Sequence, residues 1–250
     1  MRYAVLTKIK TRSILWLILP ISALVPLAAL WGSLAPSVTF GDSGEFLTQI
    51  ATLGIAHPPG FPLFLLLGKL FSLLPFGEFA WRISLMSAVF ASLTSLLLAL
   101  SIWMLTKRWW LALLAPWIFI FFPLYWQQAT MAEVYTLNTL CIAAVLVVLL
   151  HWRKNKAIAW LLLAAFLFGL GATNHAMSLL YGPGFLLFLL ASGMTIRHWR
   201  QWGLAAVFFA LGLSLYAYLP IRSQGNPPVA WAETKTLQQV VRHITRQDYS

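Results

Sequence analysis

Stretches without a single charged residue, each close to the length of a membrane crossing, recur seven times along this chain, at residues 14–34, 83–105, 109–126, 134–150, 157–173, 176–195 and 202–219. A helix needs roughly 20 apolar residues to cross a hydrocarbon core of about 30 Å. Lipid offers no partner to a free backbone N–H or C=O, so such runs must be helical. Several fall slightly short, and their Trp and Tyr residues extend them into the interface. The expected fold is all-α: a polytopic transmembrane helical bundle of about seven spans. A composition of 60% hydrophobic and 9% charged residues supports this and excludes an ordinary soluble domain.

Charge placement orients the bundle. The net charge of +11 does not indicate a nucleic-acid partner, because the basic residues are scattered between the spans instead of forming one face. If the first run starts in the cytoplasm, Lys107-Arg108, Arg153-Lys154-Lys156 and Arg197-Arg200 fall inside with Arg2, Lys8, Lys10 and Arg12. Those are eleven of the seventeen Lys and Arg residues, as the positive-inside rule requires. Residues 61–74 must then not cross. Their 14 positions include Lys69 and are framed by Pro62 and Pro75, which suits an interfacial or re-entrant helix in the first outer loop. All six acids (Asp42, Glu45, Glu78, Glu133, Glu233, Asp248) consequently face outward, with His57, Asn174, His175 and Arg222.

The basic start followed by 14–34 reads as an uncleaved anchor rather than a signal peptide. Cys141 is the single cysteine and lies within a run, which excludes an internal disulfide or a cysteine-based metal site. Residues 1–219 form the transmembrane unit, with an outer catalytic loop at 36–82. Residues 220–250 are more polar and read as an outer-face segment at the start of a further or truncated region. The expected location is an integral membrane protein with a cytoplasmic N-terminus, in the inner membrane of a bacterium or the ER membrane of a eukaryote.

Polar groups in so apolar a chain single themselves out. Asp42-Ser43-Gly44-Glu45 has the spacing of a capping box, with Asp as N-cap and Glu reaching back from N3. Its functional reading is a carboxylate held at the membrane surface as a general base. His57-Pro58-Pro59-Gly60-Phe61-Pro62 is a stiff corner, or a corner that also offers His57 to a phosphate or a hydroxyl. Glu133, Tyr135 and Asn138 open the fourth run. An acid there suits the helix dipole, yet polar groups at a membrane boundary are functional candidates by default. Asn174-His175 is a turn or a ligand-facing pair. Arg222 either snorkels to lipid phosphates or clamps an anion with its guanidinium. No HExxH, P-loop or G-x-S-x-G pattern occurs.

In order along the chain stand GDSGEF, GIAHPPGFPLF, AEVYTLN, TNHAM, YLPIRSQGNPPVAW and RHITRQDY. Together they resemble a family of multi-spanning proteins grouped with the protein O-mannosyltransferases, over roughly residues 40–249. That resemblance implies the GT-C class of membrane glycosyltransferases, which take sugar from a polyprenyl-phosphate donor. It also implies a catalytic acid in the first outer loop, here Asp42 with Glu45 beside it. His57, Glu133, Tyr135, Asn138, Asn174, His175 and Arg222 are the expected substrate-binding residues. The expected reaction is inverting transfer of a mannose-like hexose to a protein or glycan hydroxyl, most simply Ser or Thr. No cofactor is expected, although a divalent ion remains compatible with the spacing. A lipid-linked transporter or flippase would need inverted repeats and mid-membrane charges, and neither is seen. A non-catalytic scaffold is the other alternative.

Overall fold

The computed structural model describes residues 2–247, with side chains from residue 14 onward. Asp248 and Tyr249 therefore lie outside the described residues, as do the side chains of Arg2, Lys8, Lys10 and Arg12. The chain runs through α1 (Arg2–Trp31), α2 (Ser43–Thr52), α3 (Pro62–Phe71), α4 (Phe79–Thr106), α5 (Trp109–Ile120), α6 (Pro123–Ala129) and α7 (Tyr135–Asn155). It continues through α8 (Ile158–Asn174), α9 (Gly182–Ala191), α10 (Trp199–Leu213), α11 (Tyr218–Gln224) and α12 (Leu237–Ile244). Short 3-10 turns occupy Ala176–Tyr181, Ile196–His198 and Ser214–Ala217.

Four stretches are long and apolar enough to cross a membrane: Ile14–Trp31, Phe79–Thr106, Tyr135–Asn155 and Ile196–Gln224. A fifth is formed if α5 and α6, bent by 75° at their junction, count as one span. Pro123 opens α6 and lacks the N–H that would continue α5. The length criterion thus returns fewer spans than the apolar runs suggested. α8 is 17 residues long, and the run from 176 is divided between a 3-10 turn and α9, with Pro183 at its first turn. Hydrophobicity alone does not register such breaks.

α4 is the central post, packed against α1, α5 and α7. Its buried side is rich in small residues, including Ser84, Ser87, Ala88, Ala91, Ser92, Ser95 and Ala99. Lipid tails are as apolar as leucine, so helices in a membrane associate by close contact of small side chains rather than by the hydrophobic effect. Ser84, Ser92, Thr94 and Ser101 satisfy their hydroxyls on carbonyls one turn back. α8 and α10 form the most intimate pair. Gly169 lies on the Phe209 carbonyl and Gly212 on the Phe166 carbonyl, so neither position has room for a Cβ.

α3 has 10 residues, too few to cross, as read from its length and Lys69. It packs Phe64, Leu65 and Gly68 inward, the last directly on Ile50 of α2. Residues 220–247 fold back onto this loop instead of leaving it. Ala230 makes a parallel bridge with Ile55, Tyr218 Oη donates to the Gly54 carbonyl (2.7 Å), and Thr234 bonds back to Ser223 and Leu219. One apolar cluster joins both regions through Phe46, Ile50, Phe61, Phe64, Leu219 and Val240.

Candidate functional site

The outer-loop acids do not form the capping box that their spacing suggested. Asp42 occupies the N-cap position of α2, but its side chain makes no capping bond. Glu45 turns away from the helix start and takes His57 instead, accepting from its backbone N–H (2.6 Å) and its ring Nδ1 (2.8 Å). A partner arriving from 12 residues downstream displaces the local one, and an i, i+3 pattern cannot foresee that. Burial pulls the Glu45 carboxyl upward, but the side-chain and backbone hydrogen bonds from His57 outweigh it and hold the acid below its ordinary range.

With Nδ1 committed, His57 presents Nε2 to Asp42, whose Oδ2 lies 3.7 Å away. That gap exceeds a hydrogen bond. The Asp42 side chain is 55% exposed, so one carboxylate stands open at a fixed place beside an imidazole. The corner that brings His57 here is built from a cis Pro58–Pro59 bond and Gly60 at φ +92°. Gly60 also lies against Leu219, leaving no space for a side chain. Phe46, Phe61 and Trp231 surround the His57 ring, with centroids at 5.6, 4.8 and 5.9 Å.

Glu133 closes the acidic half from the start of α7. Its residue is 6% exposed, and its carboxyl lies by the backbone of Val134 and Asp42. Burial, reinforced by the Asp42 charge, pushes it up to about 7. The Glu133 and Asp42 acids are thus held in unlike environments, one buried and one open. Phe61 also meets His175, with ring centroids 5.8 Å apart, and Tyr135 packs against His175 at 5.7 Å. His175 accepts from the Met177 N–H through Nδ1. Burial first, then the charges of Arg246 and His57, hold it down at about 4, so it is neutral.

Other expected site residues turn inward. Asn138 Oδ1 accepts from Ser178 Oγ, and Asn174 Nδ2 donates to the Val134 carbonyl (3.0 Å). The first ties α7 to the 3-10 turn at Ala176–Tyr181, and the second ties the N-cap of α7 to the end of α8. Arg222 donates from Nε to the Leu53 carbonyl (2.6 Å) and from a terminal nitrogen to Thr52 (3.3 Å), capping the C-terminus of α2. Two of its guanidinium nitrogens are thus engaged by backbone. Phe61, Trp231, His243 and Arg246 went unremarked at the sequence level. Each lies inside a stretch that carried the resemblance, and that was the one available signal.

Asp42, Glu45 and His57 bring one ligand atom each within 4.8 Å of one another, the spacing of a cation site. The Glu45–His57 hydrogen bond uses Nδ1, so this triad offers an ion Nε2 and carboxylate oxygens rather than a closed tetrahedral set.

Residues 42–199 match a family described as the protein O-mannosyl-transferase TMEM260 N-terminal domain. The chain belongs to this family. It is 33% identical over 240 residues to the protein O-mannosyl-transferase tmem260 of Dictyostelium discoideum, covering 86% of this chain and 28% of that protein. It is 32% identical over 231 residues to the protein O-mannosyl-transferase TMEM260 of Mus musculus, covering 87% of this chain and 32% of that protein. The chain therefore spans less than a third of the length of these relatives. No solved structure is a significant match. The TMEM260 N-terminal match begins at Asp42, and it takes in Glu45, His57, Glu133 and His175.

Proposed function

We propose that this chain forms the membrane-embedded catalytic part of a glycosyltransferase. It moves a mannose-like hexose from a polyprenyl-phosphate donor to a hydroxyl on a protein, Ser or Thr, at the outer or luminal face. The observation that carries this reading is the open Asp42 carboxylate beside His57, whose other nitrogen is fixed by Glu45. The names of the relatives support the transferase class and the protein acceptor.

Asp42 accepts the proton of the acceptor hydroxyl as its oxygen attacks the anomeric carbon. The new C–O bond forms on the face opposite the departing phosphate oxygen, so the configuration inverts. The bonding pair of the old C–O bond leaves with the polyprenyl phosphate. That group is a stable anion and needs no proton, so one base suffices where a glycosidase needs two carboxyl groups. Glu45 positions His57, and His57 turns its Nε2 toward Asp42. The bundle is of GT-C type, with about seven crossings when α8 and the Ala176–Ala191 stretch are included. Its N-terminus is cytoplasmic, and its membrane is the inner membrane if the chain is bacterial or that of the ER if it is eukaryotic.

The test is transfer of labelled mannose from polyprenyl-phosphate mannose to a Ser/Thr-bearing protein domain by the purified chain. Asp42→Asn should lower kcat on the order of 10²- to 10⁴-fold, the usual worth of a general base. Wild-type turnover by that variant would remove Asp42 from the chemistry.

A further inference from the structure

Residues 134–232 hold no acid, yet Arg153, Lys154, Lys156, Arg197 and Arg200 all fall within them. None of these five forms an ion pair among the described residues. We infer that the apolar groove between α7, α8, α9 and α10, with Arg153 and Lys156 at its basic end, binds an anionic phospholipid from the leaflet opposite Asp42. This goes beyond the glycosyltransferase reading and does not depend on it.

The groove measures about 320 Å³, and its lining is wholly apolar. Ala164, Ala205 and Ala206 are too small to fill it, and Phe168, Phe185 and Trp202 stand along it. Leu186, also in the lining, is 46% exposed, so the groove opens sideways to the surrounding hydrocarbon. Any acyl chain offers such a surface the same contacts, because lipid tails are as apolar as the side chains they meet. Selection among lipids therefore comes from the charges at the end of the groove.

α7 carries its 21 residues, roughly 30 Å, away from Glu133, so its last turn lies at the end of the bundle opposite the acids. Arg153 sits one turn beyond the lining residue Leu149 on the same helix face, and its guanidinium carbon is 5.9 Å from the Phe188 ring of α9. Lys156 is the C-cap of α7 at φ +56°, with Nζ 4.3 Å from the Trp152 ring and donating to the Ser192 carbonyl just past α9. One cation thus ties the ends of α7 and α9 together beside Leu149 and Leu189, where the groove stops. From α10, Trp202 donates through Nε1 to the Thr195 carbonyl (3.1 Å), which fixes the 3-10 turn bearing Arg197 to a lining residue. A guanidinium offers five N–H donors and an ammonium three, and each such cation at a membrane surface attracts anionic lipid. The basic connection Lys107-Arg108 between α4 and α5 is built alike, with Lys107 at φ +60° and 5.9 Å from its own Trp103, but neither residue lines this groove. It is the internal comparison.

The test titrates the full chain, in a neutral detergent, with radiolabelled phosphatidylglycerol and with phosphatidylcholine of the same acyl chains. The first should bind on the order of 10-fold more tightly, and Arg153→Ala should cut that preference about 5-fold, the worth of one surface cation toward anionic lipid. Lys107→Ala should leave it unchanged. Ala206→Trp, at an exposed lining position, should weaken both lipids together by filling the groove. Equal binding of the two lipids by the wild type overturns the proposal, as does a full preference in Arg153→Ala or unchanged binding by Ala206→Trp. An equal loss in Lys107→Ala would show a diffuse surface charge and overturn it too. If Arg153→Ala melts well below the wild type, Arg153→Lys decides: the charge is kept, so a retained preference supports the site and a lost one overturns it. Glycerol phosphate, the headgroup without its chains, should not displace the lipid, and displacement at equal concentration would remove the groove from the site. Tighter binding of polyprenyl monophosphate, the carrier without sugar, would make the groove a donor channel and overturn the phospholipid assignment. None of these outcomes touches the transferase reading, which turnover by Asp42→Asn decides separately.

Discussion

Glu45 uses both of its carboxylate oxygens on one residue, gripping the backbone and the ring of His57 together. Replacing it with glutamine leaves one acceptor where two are needed, and the ring must change tautomer or lose its hold. Glu45→Gln is therefore expected to lower kcat while leaving donor binding within a few-fold, measured by transfer kinetics beside binding of polyprenyl monophosphate. Glu133 offers a different handle. Its acid is raised to about 7 from an ordinary value of 4.5, so between those limits the folded chain keeps a proton that the unfolded chain has released. Stability must then fall as pH rises through that window, because the state binding more protons is favoured at low pH. Glu133→Gln should remove this slope, and detergent melts stepped from pH 4.5 to 7.5 would show it. An unchanged slope would mean that Glu133 is ionised throughout. His175 has the opposite sign: its depressed value makes the fold lose stability as pH falls from 6.5 toward 4.

Among the elements, the crossing of α8 and α10 depends most on a missing side chain. Gly169 and Gly212 each face backbone of the other helix, which cannot swing aside. Gly169→Leu should separate the pair and cost about 1–3 kcal/mol or more, as overpacking does. Gly182→Ala is the contrast, because the nearest atom to its new Cβ would be the Phe168 ring edge at 3.5 Å. Its melting temperature should be nearly that of the wild type. Helix identity was legible in the apolar runs, and the short α3 was legible from its length, its lysine and its framing prolines. The breaks were not. The junction at Pro123 and the division of the run after residue 176 depend on how segments pack, and hydropathy averages over them.

For the molecule as a whole, the positive-inside pattern makes one claim that is independent of any side-chain contact. In a Cys141→Ala background, a cysteine replacing Ser37 should react with a membrane-impermeant reagent from one side only. A cysteine replacing Asn155 should react only from the other. Both positions are exposed, so burial cannot mimic the result. Labelling of both from one compartment would place the basic connections beside the site and undo the proposed topology. The fold-back of residues 220–247 belongs to this scale too. Polar composition marked that stretch as lying outside the membrane, but it could not say that Trp231 would meet His57 or that His243 would reach Ala56.

The amino-acid sequence by itself determined that this chain is helical and built of apolar segments of membrane-crossing length. Those properties follow from local length, hydrophobicity and charge, and each can be read one segment at a time. Only the tertiary structure decided the partners. It sent Glu45 to His57 instead of back to its own helix, bound Arg222 to backbone, buried Glu133 beside Asp42 and brought His243 to Ala56. Hydrogen bonds and charge pairs act over a few ångströms, whereas these partners are separated by 12 to well over 100 positions of chain.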